Sequence, residues 1–265
     1  MKFFIAALLV SLSWPLAAQP EALLLYNRTT NRMIIQDNTN AIRSIASITK
    51  IMTAMVAIDT DPNLDRKILL DTTVGAYIPR QYYSRRDLLN AMLVKSDNAA
   101  AETLARDHPG GRSGFIAAMN EKARDTGMRD TFFDDPSGLS RNNISTARDI
   151  QRMVLRALRY EFITQASAQK QILLDTHYGS QIRTIELWNT NRPLLFEFDN
   201  VLISKTGFTR AAGWCVAMIV DSGADTFVVV VLGSRDKHHR AETVRRAIYN
   251  HVRDEVIAND PNWSP

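Results

Sequence analysis

Apolar residues follow two periods along this chain, and the switches between them divide it into three stretches. Ala22-Leu23-Leu24-Leu25-Tyr26 and Arg32-Met33-Ile34-Ile35-Gln36 read as two strands around a polar turn at 27–31. From Ser47 onward, Ile51, Met52, Met55, Val56 and Ile58 recur at helical spacing, with no Gly or Pro before Pro62. Ser47 is therefore expected in the first turn of a helix with one buried side. The middle of the chain stays helical. Ser84 can cap a helix over 85–94, and Ser96 or Asp97 can cap one over 98–105. A third spans about 113–126, and Thr146-Ala147-Arg148-Asp149 opens a fourth through Leu158, as a capping box with Asp in the acidic position. Strand-like segments return at 171–174, 183–187, 201–206, 214–220 and 226–232. Asp221-Ser222-Gly223-Ala224-Asp225 has the chemistry of a hairpin loop. A closing helix over 241–257 puts Val244, Ile248, Val252 and Val256 on one face, suited to packing on a sheet. Strands near both ends with helices between them predict an α/β fold: an antiparallel sheet flanked by helices, with an all-helical lobe inserted at roughly 61–160.

Composition sharpens the picture at the N-terminus. Met1-Lys2, the apolar run 3–12 and the small-residue end Trp14-Pro15-Leu16-Ala17-Ala18 read as a secretory signal peptide cleaved after Ala18. The run is too short for a spanning helix, so residues 19–265 are expected to form one exported domain. With 45% hydrophobic content, the 265-residue chain can bury one substantial core. Its single cysteine, Cys215, excludes an internal disulfide and is expected as a small buried strand residue. The net charge of +4 is scattered, with no aromatic-interleaved basic patch, so no nucleic-acid partner is expected. Trp263 suggests at most peripheral membrane contact. His238-His239 lack partners at ligand spacing, so neither a metal nor a cofactor is assigned.

Three short strings carry the candidate chemistry: Ser47-Ile48-Thr49-Lys50, Ser96-Asp97-Asn98 and Lys205-Thr206-Gly207. Ser-x-x-Lys also occurs at Ser167–Lys170 and Ser234–Lys237, which read as surface turns; only the first opens an apolar helix and precedes the other two strings. Residues three apart share a helix face, so the Lys50 amine can reach the Ser47 hydroxyl. Serine becomes a good nucleophile when a base takes its proton. Lysine can be that base if burial or a second cation disfavours its ammonium form, and Lys205 is the expected second cation. Ser96 can relay a proton to a leaving amine, and the Asn98 amide can hold either a substrate carbonyl or Lys50. Lys205 is expected to be exposed at a strand end facing a cleft, where Gly207 admits substrate backbone as an added strand. The set suits acyl transfer through a serine ester.

With these strings in place, the chain resembles the low-molecular-weight penicillin-binding proteins, D-alanyl-D-alanine peptidases of the serine β-lactamase/transpeptidase-like fold. The likeness runs through Ile45-Ala46-Ser47-Ile48-Thr49-Lys50-Ile51-Met52-Thr53-Ala54, Asp135-Pro136-Ser137-Gly138-Leu139, Trp188-Asn189-Thr190-Asn191 and Lys205-Thr206-Gly207. His108-Pro109-Gly110-Gly111, Ala118-Met119-Asn120-Glu121-Lys122-Ala123 and Gly127-Met128 resemble the endopeptidase branch, which cuts cross-links between peptidoglycan stem peptides. The resemblance implies catalytic roles for Ser47, Lys50 and Ser96, and substrate binding by Asn98, Lys205, Thr206, Gly207, Phe208 and Arg240. It puts the oxyanion hole at the backbone N–H groups of Ser47 and Phe208. The substrate carboxylate falls to Thr206 and to Arg240, in the loop after strand 226–232, with Arg235 close by as a rival. It also implies a periplasmic location and acylation by β-lactam antibiotics.

Two departures from the family pattern bear on this. Ser44 stands where the family usually has Pro before Ile-Ala-Ser, and is expected to loosen entry to the helix. The chain stops after one closing helix, without the β-rich domain of the carboxypeptidase branch, which favours the endopeptidase over the carboxypeptidase reading. A class A β-lactamase would place a Glu-x-x-x-Asn between the second and third strings; Phe132-Phe133-Asp134-Asp135-Pro136 has no such glutamate, so slow deacylation of penicillin is expected. A non-catalytic penicillin sensor is disfavoured because every acid–base residue is present.

Overall fold

The computed structural model describes residues 20–178 and 181–258, so the expected signal peptide and Trp263 lie outside the described residues. Strands β1 (Ala22–Asn27) and β2 (Arg32–Asp37) form the first hairpin, and a short β3 (Arg43–Ser44) leads into helix α1 (Thr49–Thr60). Next come β4 (Lys67–Leu69), β5 (Tyr82–Ser84), α2 (Arg85–Asn90), α3 (Asn98–Arg106), α4 (Gly111–Asp125), β6 (Ile144–Ser145), α5 (Ala147–Ala157) and α6 (Glu161–Ser167). The hairpin β7 (Gln171–Tyr178) and β8 (Gln181–Trp188) precedes α7 (Arg192–Glu197). Strands β9 (Val201–Thr209), β10 (Gly213–Asp221) and β11 (Thr226–Ser234) then lead to α8 (Lys237–Ala258).

The main sheet has the order β2-β1-β11-β10-β9, antiparallel throughout, so both ends of the chain build it as expected. Its inner strands β1, β11 and β10 are covered on both faces and carry two interleaved apolar sets, because successive side chains point to opposite sides, while the edge strand β2 stays largely exposed. Leu25, Val216, Met218, Phe227, Val229 and Val231 pack with Val244, Ala247 and Ile248 of α8 and Leu194 of α7. Leu24, Cys215, Ala217, Ile219, Val228, Val230 and Leu232 face the helical side, in one continuous core with α1, α3 and α5. Strand β9, which carries Lys205-Thr206-Gly207, is the edge strand beside α1's entry turn.

Several expectations need correction. The lobe is not all-helical: β4 pairs with β5, and β6 with β3. Strands β7 and β8 pair only with each other and stand outside the main sheet. The sequence pattern missed α6 and α7, each under eight residues. Helix α1 is enclosed on every side from Thr49 to Ala57, including Lys50 and Thr53, where one buried side was expected. Ser44 pins the helix entry, since it pairs with Ile144 in the β3–β6 ribbon and its hydroxyl donates to Arg141 O at 2.6 Å. Ser167 and Ser234 are buried ends of α6 and β11 rather than surface turns.

Candidate active site

Ser47 lies in a 3-10 turn, Ala46–Ile48, that runs directly into α1. Ala46 holds a left-handed conformation at φ 46°, and Thr49 Oγ1 donates to Ala46 O at 2.8 Å. This backbone is uncommon for an alanine and costs free energy, so the surroundings must enforce it. Two glycines do so by proximity. A Cβ on Gly138 (φ +85°) would fall 2.1 Å from Ala46 O, and one on Gly207 would fall 2.9 Å from Ser47 N. Gly207 is therefore required by the turn that carries Ser47, a closer neighbour than the substrate strand expected from sequence.

The Lys50 amine is fully buried and meets three oxygens: Ser47 Oγ at 2.9 Å, Asn98 Oδ1 at 2.7 Å and Ser137 O at 2.5 Å. Burial pushes its pKa down to about 7, against the opposing pull of Asp135, Asp97 and Glu102. Near neutrality the uncharged amine can donate its two N–H groups to Asn98 and Ser137, leaving its lone pair to accept the Ser47 proton. Desolvation rather than a second cation is what lowers Lys50. The repulsion expected between the two lysines appears at Lys205, depressed by burial first, then by Lys50 and Arg240. Lys205 is also buried rather than exposed, with its Nζ donating to Thr206 O at 3.0 Å behind the cleft wall.

The Ser137 carbonyl is aimed by a tightly knotted loop. The Asp135 carboxylate accepts from Ser137 N (2.7 Å), Gly138 N (2.5 Å) and Ser140 N, while Thr53 Oγ1 donates to Pro136 O at 2.6 Å. On the lobe side, α2 starts with a capping box at Ser84 and continues through a π-helical turn, 91–95. That extra-wide turn ends at Ser96 in a left-handed conformation (φ 65°, ψ 34°). Asp97 then caps α3 by accepting from Ala100 N at 2.7 Å, settling which residue is the cap and leaving the Ser96 side chain in the cleft.

A cavity of about 650 Å³ joins Ser47, Ser96, Asn98, Thr206, Gly207, Phe208 and Arg240. Thr206 and Thr190 share a hydroxyl–hydroxyl hydrogen bond of 2.6 Å, and Phe208 stacks on Trp214 with ring centroids 4.3 Å apart. Arg240 sits in the first turn of α8, not in a loop, 5% exposed, donating to Cys215 O at 3.4 Å. Burial lowers its pKa to about 10, so it stays charged at neutral pH. Arg235 projects into solvent beside Asp236 and does not line the cavity, whereas Arg240 does.

A half-buried serine at the cleft floor with a fully buried lysine beneath it, and a cationic end to the cleft, is chemistry for attack on a peptide carbonyl beside a carboxylate. The family described as D-alanyl-D-alanine carboxypeptidase matches residues 13–236. The chain belongs to this family. It is 35% identical over 242 residues to a D-alanyl-D-alanine endopeptidase of Escherichia coli, covering 86% of this chain and 77% of that one. The Streptomyces K15 DD-transpeptidase superposes with a TM-score of 0.80 at 26% identity, over 86% of this chain and 94% of that one. Penicillin-binding protein D2 of Listeria monocytogenes, solved in an ampicillin-bound form, gives 0.76 at 26% identity over 86% and 94%. The protein is thus a serine DD-peptidase, and its fold is that of the penicillin-binding proteins.

Some cleft features of this DD-peptidase escape a sequence reading. Ser137 contributes a backbone carbonyl, and no residue type announces where a carbonyl points. Thr190 lies in the family-like string 188–191 but acquires meaning only through its contact with Thr206. Tyr77, Lys95 and His238 also line the cavity, drawn from three separate parts of the chain. Among the described residues no helix is long and apolar enough to cross a membrane, and no cluster of His, Cys, Asp and Glu could hold a metal.

Proposed function

We propose that this chain is an exported, periplasmic D-alanyl-D-alanine endopeptidase that cuts cross-links between peptidoglycan stem peptides through an ester on Ser47. The observation that carries this is the Lys50 amine, 2.9 Å from Ser47 Oγ with its pKa brought to about 7. The Ser47 proton passes to Lys50 as Oγ bonds the substrate carbonyl carbon, and the resulting oxyanion is held by the N–H groups of Ser47 and Phe208. The C–N bond then breaks, and Lys50 returns the proton to the leaving amine through Ser96. Water next attacks the ester, gives its proton to Lys50 and releases Ser47. Thr206 and Arg240 hold the carboxylate of the leaving residue, with Lys205 buttressing the strand behind them.

The same hydroxyl would open a β-lactam ring, and the resulting ester would persist. Among the described residues no acidic side chain lines the cleft to add a second base for water besides Lys50, and the Asp135 carboxylate is occupied by backbone N–H groups. The likeness to an endopeptidase at 35% identity supports the cross-link as substrate over the terminal alanine. Two assays test the reading. Purified protein should convert cross-linked muropeptide dimers to monomers; loss of a terminal alanine alone would replace endopeptidase with carboxypeptidase. Fluorescent penicillin should label the wild type and not Ser47→Ala; equal labelling of both would remove Ser47 as the nucleophile.

A further inference from the structure

Among the described residues the cleft lining contains five basic side chains, Lys95, Lys237, His238, Arg240 and Arg245, and no acidic one. A concave surface of one sign concentrates ligands of the other, so the site is built for an anionic peptide. Arg240 accounts for one carboxylate. Lys237 neighbours it on the first turn of α8 and adds to the same end, while Arg245 is paired with Glu197 and Glu242. Lys95 comes from the other side. It ends the π-helical turn next to Ser96, and its ammonium lies 4.9 Å from the Tyr77 ring centroid. No ion pair engages it among the described residues. The ring holds the cation electrostatically without using up its hydrogen-bond donors, which remain available to the cleft.

We infer that Lys95 reads a second carboxylate of the peptide, so that the preferred substrate carries two: one held by Thr206 and Arg240, the other by Lys95. This rests on the peptidase reading above and narrows it to dicarboxylate peptides. A lysine suits the role because a compact ammonium accepts a carboxylate from many directions, where a guanidinium fork demands one plane. The left-handed Ser96 fixes the spacing between this cation and the Ser96 hydroxyl, tying recognition of the second carboxylate to placement of the scissile bond.

The test uses two synthetic cross-linked peptides, identical except that one residue bears a free side-chain carboxylate in the first and a carboxamide in the second. Values of kcat and KM are measured for wild type, Lys95→Met and Lys95→Arg. Methionine keeps an apolar stem over Tyr77 and removes only the charge. Wild type should prefer the acid by about tenfold in kcat/KM, mostly through KM, as expected for one charge-assisted contact. Lys95→Met should lose the preference and Lys95→Arg should recover part of it. Equal cleavage of both peptides by wild type, or a tenfold preference surviving in Lys95→Met, overturns this inference and leaves the peptidase reading standing. Cleavage of neither peptide by wild type overturns the peptidase reading and this inference with it.

Discussion

Replacing Lys50 with methionine should remove most of the rise in stability with pH above neutrality along with the site's chemistry, and the size of the effect can be worked from the site. The amine is fully buried and its pKa falls from 10.5 to about 7, with desolvation the largest cause. Between those two values the unfolded chain holds a proton that the folded chain does not, so wild-type stability rises with pH across that window. The penalty is complete below about pH 7 and vanishes above 10.5. At ~1.4 kcal/mol per unit, wild type should gain about 2 kcal/mol between pH 7 and pH 9 that Lys50→Met does not gain. Methionine also leaves Asn98 Oδ1 without its 2.7 Å donor and Ser137 O with only the long 3.4 Å bond from Ser47 Oγ, at a cost of about 1–3 kcal/mol each. That loss does not depend on pH, so the difference between the two pH values isolates the titration. Lys205 works in the same direction: without Lys50 beside it, its own pKa is less depressed, which flattens the variant further. Urea denaturation of both proteins at pH 7 and pH 9 measures the quantity directly. If the two stabilities run parallel with pH, Lys50 is protonated throughout and burial is not what readies it as a base. Penicillin acylation of the variant should meanwhile drop by roughly 10²–10⁴, the usual range for a lost general base.

The acylation rate constant itself should fall below neutrality with an apparent pKa near 7, because protonated Lys50 has no lone pair; a flat stopped-flow profile from pH 5 to 8 would contradict this. Arg240→Gln should lower kcat/KM for carboxylate-terminated peptides by roughly 10–100-fold, with a much smaller loss for the terminal amide. Arg235→Gln, altering an exposed side chain outside the cavity, should behave as wild type in the same peptide assay. Gly207→Ala puts a Cβ 2.9 Å from Ser47 N and should cost about 1–3 kcal/mol in thermal denaturation while cutting penicillin labelling at least tenfold.

What the sequence disclosed depended on how local the information was. Ser47 and Lys50 are three residues apart on a helix, so their meeting follows from helical geometry alone. The strands of the main sheet were legible because β10 and β11 are long apolar runs bounded by turn residues. Ribbons such as β4, three residues long, offer no period to detect, and the lobe therefore read as purely helical. Lys205 was misplaced for a related reason. A lysine near a strand end is normally in water, and here the packing of β9 against its neighbours, the Ser47 turn among them, closes it off. The loop 135–140 is the extreme case. Its contribution is a carbonyl orientation, fixed by Asp135 and by Asn143, whose Oδ1 accepts from Asp134 N and Asp135 N.

Burial acts on Lys50 and Arg240 in the same sense and produces opposite chemistry. Each loses hydration, and each is pushed down, the amine from 10.5 to about 7 and the guanidinium from 12.5 to about 10. In the proposed mechanism the amine reaches the working pH and serves as the base, while the guanidinium stops above it and remains a cation suited to hold a carboxylate. Residue type, rather than local environment, thus decides which group accepts a proton and which binds an anion. A lysine at position 240 would start two units lower, and the same desolvation would carry it toward neutrality, weakening the anchor. An arginine at position 50 would stay charged beside Ser47 and hold the hydroxyl without taking its proton. The site needs both residue types because a single cleft must contain one desolvated group that titrates near neutrality and one that does not.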